Sequence, residues 1–189
     1  MTILRRCSQL GVRDSGAVML VCLLLLIPLL VLGATSMESA VLGERMAANY
    51  EDRARAFSAA EAALETAEAW LRSQEFLPMA TNAGEGGVWM SGILDAAFSV
   101  NVPWWHDPDA NLIWWAAHGI AVVSESSAAV PARYIIEQYR VVTDGESTGI
   151  GTGRLQPVVA FHRITALGVG RRVTTRVRLQ ATFVRTYER

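Results

Sequence analysis

From Ser15 to Met37 the sequence carries no ionisable side chain except Cys22, and its densest apolar stretch runs from Val18 to Leu32. A helix needs about 20 apolar residues to cross the hydrocarbon core of a bilayer, and this run reaches that length. A buried helix of the same character would need protein on every side, more than a chain of 189 residues can supply. Pro28 lies within the run; a membrane helix tolerates it with a kink or local loosening. Arg5, Arg6 and Arg13 precede the run, and Glu38 and Glu44 follow it. Positive flanks stay cytoplasmic, which places the N-terminus inside and residues from about 38 onward outside. A cleaved signal peptide is the alternative, with Gly33 to Ser36 as the small-residue site. The length of the run and the sequence after it favour a retained anchor.

Past Met37 the chain stays rich in Ala, Glu, Met, Leu and Arg to about Glu75, all good helix formers. Apolar or small residues recur at Met37, Val41, Met46, Tyr50, Ala54, Phe57, Ala60, Leu64, Ala67 and Leu71, close to the helical period. Glu44, Arg45, Glu51, Asp52, Arg55, Glu61, Glu65 and Glu68 take the opposite face. Gly43 is the weak point, and Pro78 closes the element. A continuous helix from Ala17 to Phe76 would be roughly 90 Å long at 1.5 Å per residue. Met46, Phe57, Leu64 and Leu71 form the stripe expected to pack on a sheet.

Near the C-terminus the period changes to two. Val173, Thr175, Val177, Leu179, Ala181 and Phe183 alternate with Arg172, Thr174, Arg176, Arg178, Gln180 and Thr182, as in a half-buried strand. Phe161 to Leu167 reads as its hairpin partner across a turn at Gly168 to Arg171. Arg133 to Arg140 is a third strand and Ile120 to Val123 a fourth; Asp144 to Gly153 reads as a loop. One long helix followed by consecutive antiparallel strands is an α+β pattern, with the helix laid on one face of an antiparallel sheet.

Several blocks of sequence carry a family resemblance. A short basic leader ends in Gly16, and Ala17 opens the hydrophobic helix. Glu44-Arg-Met-Ala-Ala-Asn49, Asp52-Arg53, Ala56-Phe57 and Ala59-Ala-Glu-Ala-Ala-Leu64 follow in order. Farther on come Pro131-Ala-Arg-Tyr-Ile-Ile-Glu137, Phe161-His-Arg-Ile-Thr-Ala-Leu-Gly168 and Val177-Arg-Leu-Gln-Ala-Thr182. Together these resemble the PilX-type pilus assembly proteins, which are minor pilins. The resemblance implies a pilin-like fold with a leader (1–16), a transmembrane and assembly helix (17–36), an extracytoplasmic continuation (37–77) and a globular domain (78–189). It implies cleavage by a prepilin peptidase between Gly16 and Ala17, and residence in the bacterial inner membrane with the C-terminal domain in the periplasm. Entry into a type IV pilus would follow, with Val21, Leu24, Pro28 and Leu32 on the assembly helix. Its partners would be other major and minor pilins and the inner-membrane pilus machinery. Major pilins usually carry a glutamate at the fifth mature position, where this chain has Val21. A type II secretion pseudopilin and a tip-exposed adhesive module share this architecture and stand as alternatives.

Other chemistry finds less support. A formal net charge of −1 supplies no field for nucleic acid, which is not expected as a partner. Arg172, Arg176 and Arg178 read as a basic strip on the exposed strand face, more often a solvated surface than a phosphate contact. Cys7 and Cys22 fall in different environments, so no disulfide is expected between them, and the exported part, which has no cysteine, relies on its core. Trp104, Trp105, Trp114 and Trp115 could stack on a glycan or other cell-surface ligand, though core packing is the commoner use. His106, Asp107, Asp109 and His118 lack metal-ligand spacing. Asp144 and Glu146 do not match a calcium loop. Gly149, Gly151 and Gly153 are followed by Arg154 where a dinucleotide motif needs its third glycine. No nucleophile elbow is present, and His162 reads as a strand residue. No catalytic set, metal site or cofactor is expected, and the chain does not read as an enzyme.

Overall fold

The computed structural model describes residues 15–98, 102–107, 109–123, 130–143 and 157–188. Helix α1 spans Ser15–Ser73 and passes through both Pro28 and Gly43. The strands are β1 (Val88–Met90), β2 (Ile120–Ala121), β3 (Arg133–Thr143), β4 (Val158–Val169) and β5 (Arg176–Tyr187). Short helices α2 (Ile93–Ala97) and α3 (Leu112–His118) and two single 3₁₀ turns fill the segment between β1 and β2. The chain divides into two compact units, Met1–Ala48 and Asn49–Arg189.

In the second unit the strand order is β1-β3-β4-β5, with β2 beside β3. Strands β2 to β5 pair antiparallel, as consecutive strands can. The short β1 adds a parallel pair that no period-two pattern announced, Val88 facing Ile136. It holds its place through Thr81, whose N–H donates to the Val88 carbonyl and whose carbonyl accepts from Met90. A bulge interrupts the β3–β4 ladder between Gln138 and Arg140.

The sheet is covered on both faces. Ala63, Ala67 and Leu71 of α1 join Val88, Tyr134, Ile136, Ile164 and Ala166 in one core. Trp89, Leu94, Trp104 and Trp115 join Ile135, Leu167 and Val169 in another. Neighbouring strand residues point to opposite faces, so Ile135 and Ile136 belong to different cores.

Helix α1 meets the sheet through alanine. Ala56, Ala60, Ala63, Ala67 and Leu71 are fully buried. This corrects the expected stripe: Leu71 is buried and Leu64 partly so, but Phe57 is 44% exposed and Met46 67%. The reason lies opposite, at Gly168. A Cβ there would stand 2.0 Å from the Ala56 carbonyl oxygen and 2.5 Å from the Ala60 nitrogen. A helix that approaches a strand this closely leaves no room on the contact face for a large side chain.

The hairpin turn also differs from expectation. Gly168 and Val169 belong to β4, and the turn falls at 170–175, closed by Gly170 N–H to Thr175 and Thr175 N–H to Arg172. The cause is Asp52 of α1, nearly buried, which accepts from the Arg171 N–H at 2.5 Å and the Arg172 N–H at 3.4 Å. The Thr175 hydroxyl, against the opposing effect of burial, joins Arg171 and Arg172 in holding the Asp52 carboxyl below its usual range. The loop expected at 144–153 lies outside the described residues.

Candidate functional site

The sequence offers two candidate surfaces. The first is the apolar part of α1. None of its apolar run is buried among the described residues. Val21, Leu24 and Leu32 are more than half exposed, and Pro28 is exposed beside them. Exposure of so many large apolar side chains is stable only in lipid or against other apolar helices. At the end of the run Thr35 and Ser36 donate to the Leu32 carbonyl at 3.0 and 2.8 Å, so their hydroxyls demand nothing from the surroundings. Gly16 and Ala17 lie in the first turn of α1, while the basic leader before Ser15 lies outside the described residues. Gly33 to Ser36 are inside the helix.

The second candidate is the tryptophan-rich segment. Asn111 caps α3 by accepting from the Ile113 and Trp114 N–H groups at 2.9 and 3.1 Å. Trp104 and Trp115 are fully buried, with ring centroids 5.6 Å apart, and Trp104 also lies 5.2 Å from Trp114. Burial removes Trp104 and Trp115 from any recognition surface, and leaves only Trp105 and Trp114 partly exposed. These rings fill the outer face of the sheet.

An ion pair fastens them there. Glu137 on β3 is completely buried and receives two hydrogen bonds from Arg163 on β4, at 2.9 and 2.8 Å. It also accepts from the Trp104 indole at 3.2 Å. Asp95 lies 3.7 Å from the Arg163 guanidinium and accepts from the Trp104 backbone N–H at 3.3 Å. The Trp105 ring covers that guanidinium at 4.4 Å, and Tyr139 stands at 5.8 Å. Burial opposes the Arg163 charge, but the bonds and charge of Glu137 outweigh it and hold the group above its usual range. A bidentate pair with its remaining acceptors used is the arrangement in which a buried charge is tolerated. Spacing gave no sign of the pair: Glu137 and Arg163 are 26 residues apart and meet only through the β3–β4 register.

The basic strip does not form as one free face. Arg172 is in the turn and donates to Asn49 at 3.2 Å; Arg176 donates to the Val173 carbonyl. Arg178 is part-buried and donates to the carbonyls of Trp105 and Ala110. Thus Arg172 ties the turn to α1, and Arg178 ties β5 to the segment that carries the tryptophans.

His118 stacks on Trp114 at 4.5 Å, and the Asp107 carboxylate accepts from the Asp109 N–H. Among the described residues no three histidine, cysteine, aspartate or glutamate side chains converge on a metal-sized site. Asp144, Glu146, Gly149, Gly151, Gly153 and Arg154 lie outside the described residues.

Comparison with known proteins agrees with this geometry. Residues 15–65 match the family model described as PilX N-terminal. Residues 76–185 match the model described as Type IV pilus assembly protein PilX C-term. No curated protein and no solved structure matched the chain.

Proposed function

Since the chain belongs to the PilX family of type IV pilus assembly proteins, we propose that it is a minor pilin held in the inner membrane by α1 until it enters a filament or an initiation complex. The observation that supports this most directly is the uncovered apolar run of α1. It is long enough to sit in lipid first and then against the apolar helices of other pilins. In this reading prepilin peptidase cuts between Gly16 and Ala17 on the cytoplasmic side. The second unit then faces the periplasm, as the positive-inside rule requires. Val21 supplies no carboxylate to pair with a neighbouring amine in the bundle, which suits a subunit used in few copies.

The test is the intact mass and N-terminal sequence of the membrane-extracted protein, from cells with and without prepilin peptidase. A chain beginning at Ala17 only in peptidase-positive cells supports the reading. A chain beginning at Met1 in both, or one cut near Ala34, overturns it. A clean deletion then separates pilus assembly from type II secretion: loss of surface pili with normal protein export is the expected result.

A further inference from the structure

His162 and Tyr187 make a buried pair that the assembly role does not use. His162 is on β4 and wholly inaccessible; Tyr187 ends β5 and is 1% exposed. Their rings meet edge to face at 6.1 Å. Both imidazole nitrogens and the tyrosine hydroxyl lack a hydrogen-bond partner among the described residues. Buried polar groups are normally paired, and each unpaired one costs about 1–3 kcal/mol. The site is therefore weakly held even with the histidine neutral.

Its neighbours offer an imidazolium nothing. The cross-strand partners of His162 are Gln138 on β3 and Phe183 on β5, both uncharged. Beyond Phe183 on β5 are Arg185 and Tyr187; Arg185 stands over the Tyr187 ring at 5.1 Å. From α1 come the carbonyls of Leu71 and Arg72, both already accepting from Arg185, and the Arg72 guanidinium, 5.5 Å from the Phe183 ring. Arg72 is itself paired with Glu68 at 2.7 Å, and no carboxylate among the described residues bonds the imidazole. Burial alone pushes the His162 imidazole down to about 4.

A proton forced onto His162 must be relieved by movement, and the topology decides which strand moves. Strand β4 is held on both sides, by β3 and β5, whereas among the described residues β5 is bonded to β4 alone. Peeling the end of β5 breaks one ladder and opens His162 to water. The same movement withdraws Arg185 from the last carbonyls of α1. We propose that His162 and Tyr187 form an acid-triggered latch, in which protonation of His162 peels Phe183 to Tyr187 from β4 and frees the C-terminal end of α1.

The test is hydrogen exchange of the full chain in detergent micelles, read as protection factors for the segment 183–187. With an open-state histidine near 6.5, the opening equilibrium should rise on the order of ten- to seventyfold between pH 7.5 and pH 4.5. His162→Gln should abolish the rise, and Tyr187→Phe should keep it. Equal protection at both pH values, or the same acid response in His162→Gln, overturns the latch. Should His162→Gln not fold, an NMR titration of His162 in the wild-type chain decides. Titration that coincides with lost protection supports the proposal; titration with protection intact overturns it.

Discussion

Replacing Gly168 with alanine should pry α1 off the sheet. A new Cβ would stand 2.0 Å from the Ala56 carbonyl oxygen, 2.5 Å from the Ala60 nitrogen and 3.0 Å from the Ala60 Cβ. Ordinary contact begins near 3.4 Å, so the helix must retreat by about 1.4 Å at this point. Two of the three opposing atoms are backbone, and no rotamer change removes them. A radial gap of 0.5–1 Å already forfeits roughly a quarter to a half of a dispersion contact. The gap would open along fully buried Ala56, Ala60, Ala63, Ala67 and Leu71. Overpacking of this kind costs about 1–3 kcal/mol, while removing a glycine from a strand returns about 0.5–1 kcal/mol. The clash wins because the backbone cannot yield, and a net loss of about 1–2 kcal/mol is expected. With a urea slope of about 1–3 kcal/mol per molar, the midpoint should fall by on the order of 1 M. The assay is a urea melt of the full chain in detergent, followed by tryptophan fluorescence; all six tryptophans lie between residues 70 and 115. A second substitution, Ala60→Gly, should fail to restore the midpoint, since it removes only the 3.0 Å neighbour. A Gly168→Ala chain with a wild-type midpoint, or one rescued by Ala60→Gly, would refute the close-approach argument.

Three further outcomes follow from the same structure. Glu137→Ala strands the Arg163 charge in a buried site and should cost about 3–5 kcal/mol in a thermal or urea melt; pairing Glu137→Leu with Arg163→Met should recover most of it. Trp104→Ala should lower stability by about 3–5 kcal/mol because it hollows the outer core, whereas Trp105→Ala should lose about 0.5–2 kcal/mol. If Trp105→Ala abolishes binding to host surfaces while stability and piliation persist, the exposed edge of this cluster is a recognition site. For Asp52, the depressed carboxyl contributes stability above its unfolded value near 3.8, and that contribution fades as pH falls through the lower folded value. Asp52→Asn should therefore flatten the stability profile below about pH 4 and leave the His162-linked loss at higher pH in place.

Local periodicity carried much of this architecture. The charge-free run from Ser15 to Met37 announced the long apolar helix, because length and apolarity are local properties of the sequence. The alternation in β5 and the β-branched residues of β3 and β4 located the main strands. What escaped was set by distant contacts. The large residues Met46 and Phe57 pointed to one face of α1, but Gly168 and the alanines chose another. The hairpin turn moved because Asp52, about 120 residues away, clamps its backbone. Strand β1 has only three residues, too few to show a period, and its partner is parallel. Glu137 and Arg163 are ordinary polar positions in their strands until the β3–β4 register brings them together.

The two faces of the sheet are fastened by different means. On one, backbone rests against backbone, and any added atom is felt along the alanine face of α1. On the other, a layer of indole rings is held by Glu137, Arg163 and Asp95. One face is thus intolerant of any gain in volume, and the other of any loss.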